Sequence, residues 1–171
     1  MTTGSLPKCA TRLFDTRWTC LYLLPRKHED WIVDLLAFTQ GKNSGEHIGI
    51  EPSGMFDSVT DDQARVSLLP VSRKGAEDLL KLLAVGSFYS GPDPSLQEVD
   101  EVRDSCMRDI LASAGEDLDF FTNHGHAENG DEADFLTHSF HWNSLATTLY
   151  DVCLIAVAAD RLLIAWRFED A

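Results

Sequence analysis

The alternation of apolar and polar residues predicts strands near both ends of the chain. In the segment 12–24 every second residue from Phe14 onward, apart from Thr16, is aromatic, apolar or cysteine, as in a strand with one packed face. Residues 149–157 and 162–168 are strongly apolar and form a predicted hairpin. Shorter strands are predicted at 46–51, 64–71 and 136–142.

Apolar residues at three- and four-residue spacing predict three helices between these strands. The first follows Pro25 and ends at Gly41, and the second is capped by Ser72. The third is predicted over 95–114, because Ser95 and Glu98 have the spacing of a capping box. Its apolar stripe is Leu96, Val99, Val102, Cys106, Ile110 and Ala114.

This order of elements favours an α+β fold in a single domain spanning residues 1–171. Strands at both ends and helices in the middle predict a mostly antiparallel sheet with about three helices packed on one face. The strand at 149–157 is apolar on both sides and is therefore expected to be central. We expect residues 1–10 to be a flexible terminus and residues 115–134 to be an acidic loop.

Composition and cysteine spacing indicate a cytoplasmic protein. The longest unbroken apolar run has eight residues, 152–159, and the first residues lack the apolar stretch of a signal peptide. The four cysteines contain no C-x-x-C pair, which disfavours a zinc ribbon or a redox dithiol. We therefore expect them to be small buried side chains in a reducing compartment.

Charge is concentrated in one part of the chain. Residues 98–134 hold twelve acidic and two basic residues, a net charge of −10 out of −14 for the whole protein. Such a surface repels nucleic acid and anionic membranes and attracts basic proteins. A solubilising role is an equal alternative for such a surface. The candidate partner-binding residues are Asp100, Glu101, Asp104, Glu116, Asp117, Asp119, Glu128, Asp131, Glu132 and Asp134.

Histidines provide the main alternative to a binding surface. His124 and His126 lie two residues apart, and His138 and His141 follow, with acidic residues between them. Imidazoles and carboxylates are ligands for zinc, manganese or iron, so a metal-dependent enzyme is conceivable. The spacing matches no motif with a known mechanism, and packed or solvated histidines are the favoured interpretation. We expect no metal and no cofactor.

The remaining chemistry is sparse, and the function prediction follows from charge. Asp151 is the one acidic residue within an apolar strand, and we expect it to form an ion pair with Arg161 or Arg167. Common catalytic and nucleotide-binding motifs are absent.

The leading hypothesis is an immunity protein that neutralises a basic, nucleic-acid-acting toxin. The alternatives are the metal-dependent enzyme and an acidic regulator or DNA-mimic adaptor.

Overall fold

A computed structural model describes residues 4–85, 91–137 and 141–170 of the chain. In these ranges the helices are α1 Ala10–Leu13, α2 Trp31–Thr39, α3 Asp61–Ser67, α4 Arg73–Ala84 and α5 Glu101–Ala114. The strands are β1 Thr19–Pro25, β2 Glu46–Gly49, β3 Leu69–Val71, β4 Asp119–Thr122, β5 Tyr150–Val157 and β6 Arg161–Glu169. Short 3-10 helices occupy Ser53–Met55, Pro94–Gln97 and Gly125–Glu132.

The strands of the described chain form one antiparallel sheet in the order β2-β1-β6-β5-β4-β3. Every neighbouring pair is antiparallel, which confirms the predicted α+β class. β5 and β6 form the predicted hairpin at the centre of the sheet. Their central place explains why nearly every residue in both strands is buried.

Helices cover both faces of this sheet, so the prediction of helices on one face is wrong. Side chains alternate along β5, with Val152, Leu154 and Ala156 facing one apolar cluster and Cys153, Ile155 and Val157 facing the other. The first cluster contains the buried faces of α4 and α5, and the second contains Ile32, Leu35 and Phe38 of α2. Two apolar faces on the central strands require a covering layer on each side.

Two segments that were predicted as strands are partly helical in the structure. In the segment 12–24, β1 starts only at Thr19, and α1 lies before it with Ala10 fully buried. In the segment 64–71, α3 extends to Ser67 and leaves only Leu69–Val71 as strand. Thr60 and Gln63 form a capping box at the start of α3, a local hydrogen-bonding preference that outweighs the β-like pattern.

The first two predicted helices are confirmed, with one change of starting point. The Ser72 side chain caps α4 by accepting a hydrogen bond from the Gly75 backbone N–H, and the predicted apolar face of that helix is buried. α2 begins at Trp31, where Asp30 is the capping residue, rather than after Pro25. The predicted strand at 136–142 includes residues 138–140, which lie outside the described residues, and Trp142 forms an isolated bridge with His124.

The third helix is shorter than predicted. Asp93 caps the 3-10 helix Pro94–Gln97, and Asp100 then caps α5 by accepting a hydrogen bond from the Arg103 N–H. Arg103 is itself buried, and its guanidinium donates to the backbone oxygens of Ser95 and Glu98. These bonds hold the chain in a bend at 98–100, where the sequence pattern predicts an unbroken helix.

A disulfide bond joins Cys9 to Cys106 across 97 residues. It links the segment before α1 to the middle of α5, and α1 packs against α5 beside it. Cys20 and Cys153 are free and buried, as predicted. The disulfide bond shows that the expectation of four reduced cysteines is wrong. Bonds of this kind persist mainly in oxidising environments.

No helix in the described ranges has the length and apolar character needed to span a bilayer.

Candidate functional site

The amino-terminal end of α5 presents two valines to solvent within the acidic segment. Val99 is 89% exposed and Val102 is 80% exposed, although the sequence pattern assigns both to the buried face. Val99 lies in the bend before the helix, and Val102 lies in the first turn on the side away from the core. The buried face of α5 begins at Arg103 and continues through Cys106, Met107, Ile110, Leu111 and Ala114.

Acidic side chains surround these valines. Glu98, Asp100 and Glu101 are exposed, and Glu101 pairs with Arg108 at 2.9 Å. Asp100 also caps the helix, where a negative charge interacts favourably with the helix dipole. Two exposed apolar side chains thus lie among three exposed acidic residues in the segment 98–102. The exposed positions of Asp100 and Glu101 agree with their predicted role as surface residues.

Asp104 differs from its predicted place on an exposed ridge. Its carboxylate is half-buried, 3.1 Å from the Arg103 Nε and 3.5 Å from the Lys81 Nζ of α4. Burial by itself raises the pKa of Asp104, but the hydrogen bond from Arg103 and the charge of Lys81 bring the net pKa below its usual range. Asp104 therefore fastens α5 to α4 and contributes little free charge to a partner.

A second acidic group lies beyond the opposite end of α5. Glu116, Asp117 and Asp119 are exposed, and they line a depression of about 560 Å³ beside Arg73. The Arg73 guanidinium donates to the Glu116 backbone oxygen and lies 5.4 Å from the centre of the Phe120 ring. Since α5 has 14 residues, its two ends are roughly 20 Å apart. The acidic segment thus presents separate groups and no single ridge.

The third group belongs to the segment predicted as a loop. Residues 115–134 contain β4 and the 3-10 helix Gly125–Glu132, on which Glu128, Asp131 and Glu132 are exposed. Asp134 has a structural role, because its carboxylate accepts hydrogen bonds from the backbone N–H groups of Leu136 and Thr137. The acidic loop predicted over 115–134 therefore contains regular elements, because buried Phe120 and Ala127 anchor this segment to the core.

Three of the four predicted histidines lie together. The ring centres of His124 and His126 are 4.8 Å apart, and those of His126 and His141 are 5.3 Å apart. Gly125 allows this contact, because a β-carbon there would lie 1.9 Å from the His141 Nδ1. His138 lies outside the described residues. Within the described ranges, no group of three or more metal-ligating side chains is placed to hold one ion.

His124 is held as a neutral, buried side chain. Burial and the neighbouring His126 and His141 lower the pKa of His124 to about 3. Its Nδ1 accepts a hydrogen bond from the His126 backbone N–H at 3.1 Å, which places the ring proton on Nε2 in the neutral form. In this arrangement His124 is a packing residue between β4 and the following 3-10 helix.

Asp151 forms hydrogen bonds where an ion pair was predicted. Its buried carboxylate accepts from the Ser144 hydroxyl at 2.9 Å, from the Asn123 amide at 3.1 Å and from the Trp166 indole at 3.1 Å. Arg167 pairs instead with Glu169 at 2.6 Å. Burial raises the pKa of Asp151 despite these donors. The network connects β5, β6 and the segment that follows β4, and it explains why an acid is tolerated within an apolar strand.

Val99 and Val102 were assigned to the buried face of a helix whose predicted capping residue, Ser95, lies five residues before the observed one, Asp100. Once Asp100 is taken as the capping residue, the pairs Cys106–Met107 and Ile110–Leu111 define a stripe that extends back to Arg103, away from Val102. That spacing is visible in the sequence.

Comparisons with protein-family models, curated proteins and solved structures find no match for this chain.

Proposed function

We propose that this chain is a binding protein that inhibits a basic partner, specifically an immunity protein that neutralises a nucleic-acid-acting toxin. The observation that carries the proposal is the exposure of Val99 and Val102 between the acidic residues Glu98, Asp100 and Glu101. An apolar centre with a charged rim is the usual arrangement of a protein interface. Exposed acids alone also fit a solubilising surface, so the two strongly exposed valines beside them are what favours an interface.

Charge complementarity supports a basic partner. Enzymes that act on nucleic acid carry basic clefts, and a surface of the opposite sign speeds association with them. Residues 98–101 extend from a helix that is fixed by the Arg103 hydrogen bonds and by the disulfide bond at Cys106. A rigid surface loses little conformational freedom on binding, which favours high affinity.

The test of inhibition uses the product of the neighbouring gene as the probe, since immunity proteins are expected beside their toxins. That product is expressed with and without this chain, and its nuclease activity is measured. We expect the activity to be suppressed at a stoichiometry of about one to one. If the neighbouring product is a basic nuclease that remains fully active in the presence of this chain, the proposal is wrong.

Two paired variants test the surface itself. Replacing Val99 and Val102 by Ser is expected to increase the dissociation rate about tenfold, because buried apolar contacts act mainly on dissociation. Replacing Glu98 and Glu101 by Gln is expected to slow association and weaken its salt dependence, because rim charges steer encounter. Both rates are measured against ionic strength by surface plasmon resonance with the same nuclease.

Matched controls lie on α3 and just before it, on the other side of the sheet. Val66 is 76% exposed, and Asp57 and Asp62 are exposed acids. Val66→Ser and the pair Asp57→Asn with Asp62→Asn are expected to leave both rates unchanged. Equal effects of the control and test variants would show that the α5 end is not the interface.

A further inference from the structure

An asparagine–glycine pair lies within the third acidic group. Asn129 and Gly130 are both exposed, on the 3-10 helix that also carries Glu128, Asp131 and Glu132. The proposed inhibitor surface on α5 makes no use of this pair. An asparagine that precedes a glycine can lose ammonia without an enzyme, because the next backbone nitrogen can close a five-membered ring with the asparagine side chain.

Gly130 removes two obstacles to this ring closure. The reaction requires the Gly130 backbone nitrogen to reach the Asn129 Cγ, and regular backbone geometry or a bulky following residue hinders that approach. Gly130 has no side chain, and its φ of +62° and ψ of −129° interrupt the regular geometry of the 3-10 helix. A β-carbon built on Gly130 would have no heavy atom of the described chain within 4 Å. The space on that side of the pair is therefore open.

The other three asparagines of the chain lack this combination. Asn43 is buried. Asn123 is also buried, and its amide is fixed at both ends, with Nδ2 3.0 Å from the Asn143 backbone oxygen and Oδ1 2.8 Å from the Cys153 backbone nitrogen. Asn143 is exposed, but the residue that follows it is Ser144. Asn143 therefore provides the exposed comparison within the same molecule.

The segment around the pair is anchored on either side of it. Ala127 is 5% exposed and packs in the first apolar cluster. The His126 ring donates from Nδ1 to the Asp134 backbone oxygen at 2.8 Å. Between these anchors, residues 128–132 are all exposed. A local rearrangement at Asn129 therefore leaves the core contacts intact.

We propose that Asn129 is a site of spontaneous deamidation, which gives the third acidic group a fourth carboxylate. The Gly130 nitrogen loses its proton to water or hydroxide and attacks the Asn129 Cγ. The new C–N bond closes the ring, the C–N bond of the side-chain amide breaks, and ammonia leaves. One water molecule then opens the ring at either carbonyl and gives aspartate or isoaspartate, with no change of oxidation state.

Both products change this surface. Aspartate makes four of the five residues 128–132 acidic, so the local anionic field becomes stronger. Isoaspartate adds the same charge and also routes the backbone through the side chain, which moves Gly130 relative to Ala133. The hydrogen bond from the Ala133 N–H to the Gly130 oxygen, 3.1 Å long, then loses its geometry. This reaction is independent of the proposed inhibition of a toxin.

The experiment incubates the full chain for weeks in water enriched in heavy oxygen, at neutral and at mildly acidic pH. Peptide mass spectrometry then locates each amide that has become an acid. The peptide containing Asn129 is expected to gain one heavy oxygen before any other asparagine peptide does. Its rate is expected to rise with pH, because the Gly130 nitrogen must lose a proton. If Asn129 keeps its amide, or if Asn143 reacts as fast, the proposal is wrong.

Asn129→Gln identifies the source of the new charge. Glutamine keeps the amide, but its longer side chain disfavours ring closure, and a change at this exposed position should not disturb the fold. Anion-exchange chromatography of aged wild type is expected to show a more acidic species that is lost in Asn129→Gln and retained in the matched control, Asn143→Gln. Asn129→Asp is expected to elute with the aspartate form. Persistence of the acidic species in Asn129→Gln would overturn the assignment.

Discussion

At the scale of single residues, burial determines what each polar group can do. Asp104 and Asp151 are both acidic, but Asp104 is held ionised by Arg103 and Lys81, whereas burial raises the pKa of Asp151. His124 is buried among other histidines and stays neutral. None of these states is visible in the sequence, because each depends on which donors and charges the fold brings within a few ångströms.

His124 is expected to make folding sensitive to acid. Its pKa of about 3 in the folded protein is below the unfolded value of 6.5, so the unfolded state takes up the proton first as the pH falls. The free energy of unfolding should therefore decrease between pH 6.5 and pH 3, by up to about 1.4 kcal/mol per pH unit. Asp151 acts in the opposite direction, because its raised pKa lets the folded state bind a proton more readily.

Urea unfolding of wild type and His124→Asn across this pH range measures the effect. Asparagine can accept the hydrogen bond that His124 accepts from the His126 N–H but does not titrate, so this variant should lack the His124 contribution to the slope. Asp151 is present in both proteins and cancels in the difference. His47→Gln, a change at an exposed histidine, is the control. Parallel pH curves for wild type and His124→Asn would contradict the assignment.

At the scale of elements, capping side chains and the hydrogen bonds of Arg103 determined where the helices begin. α4 was predicted correctly because its cap, its amphipathic face and its length all agree. α5 was placed too early because Ser95 and Asp100 both have capping side chains, and the pattern alone does not choose between them. The buried Arg103 decides, because its hydrogen bonds to Ser95 and Glu98 close the bend.

The Cys9–Cys106 bond is expected to stabilise the attachment of α1 to α5. Replacing both cysteines by Ala should reduce the free energy of unfolding by about 2–5 kcal/mol, because the bond closes a long loop and restricts the unfolded chain. Denaturant unfolding measures the loss. Dithiothreitol should destabilise the wild type by a similar amount and leave the double variant unchanged; an equal response of both proteins would show that the bond is not formed.

At the scale of the whole molecule, the two apolar clusters share the central strands. β5 and β6 contribute alternate side chains to each cluster, so neither face can lose its packing without weakening the same hairpin. Leu83→Ala on one face and Phe38→Ala on the other should each cost about 2–5 kcal/mol. Both should shift one cooperative transition, followed by circular dichroism and by tryptophan fluorescence.

The outcome that would contradict this expectation is a separation of transitions. If Phe38→Ala produces a first transition seen by fluorescence while the helical signal is retained, the two faces unfold independently. Val33→Ala, at a half-exposed position of α2 on the same helix as Phe38, is the matched control. It should change stability by less than about 0.5 kcal/mol.

The sequence by itself determined the class of fold, the central hairpin, the helix at Arg73–Ala84 and the concentration of acidic charge. Each of these follows from a periodic pattern or from a count, and such patterns are set by neighbours along the chain. Tertiary structure decided that helices cover both faces, that Val99 and Val102 are exposed, and that Cys9 meets Cys106. It also decided that the Asn43 amide is buried without a partner in the described chain. These features depend on contacts between residues far apart in sequence, where packing and hydrogen bonding outweigh local preference.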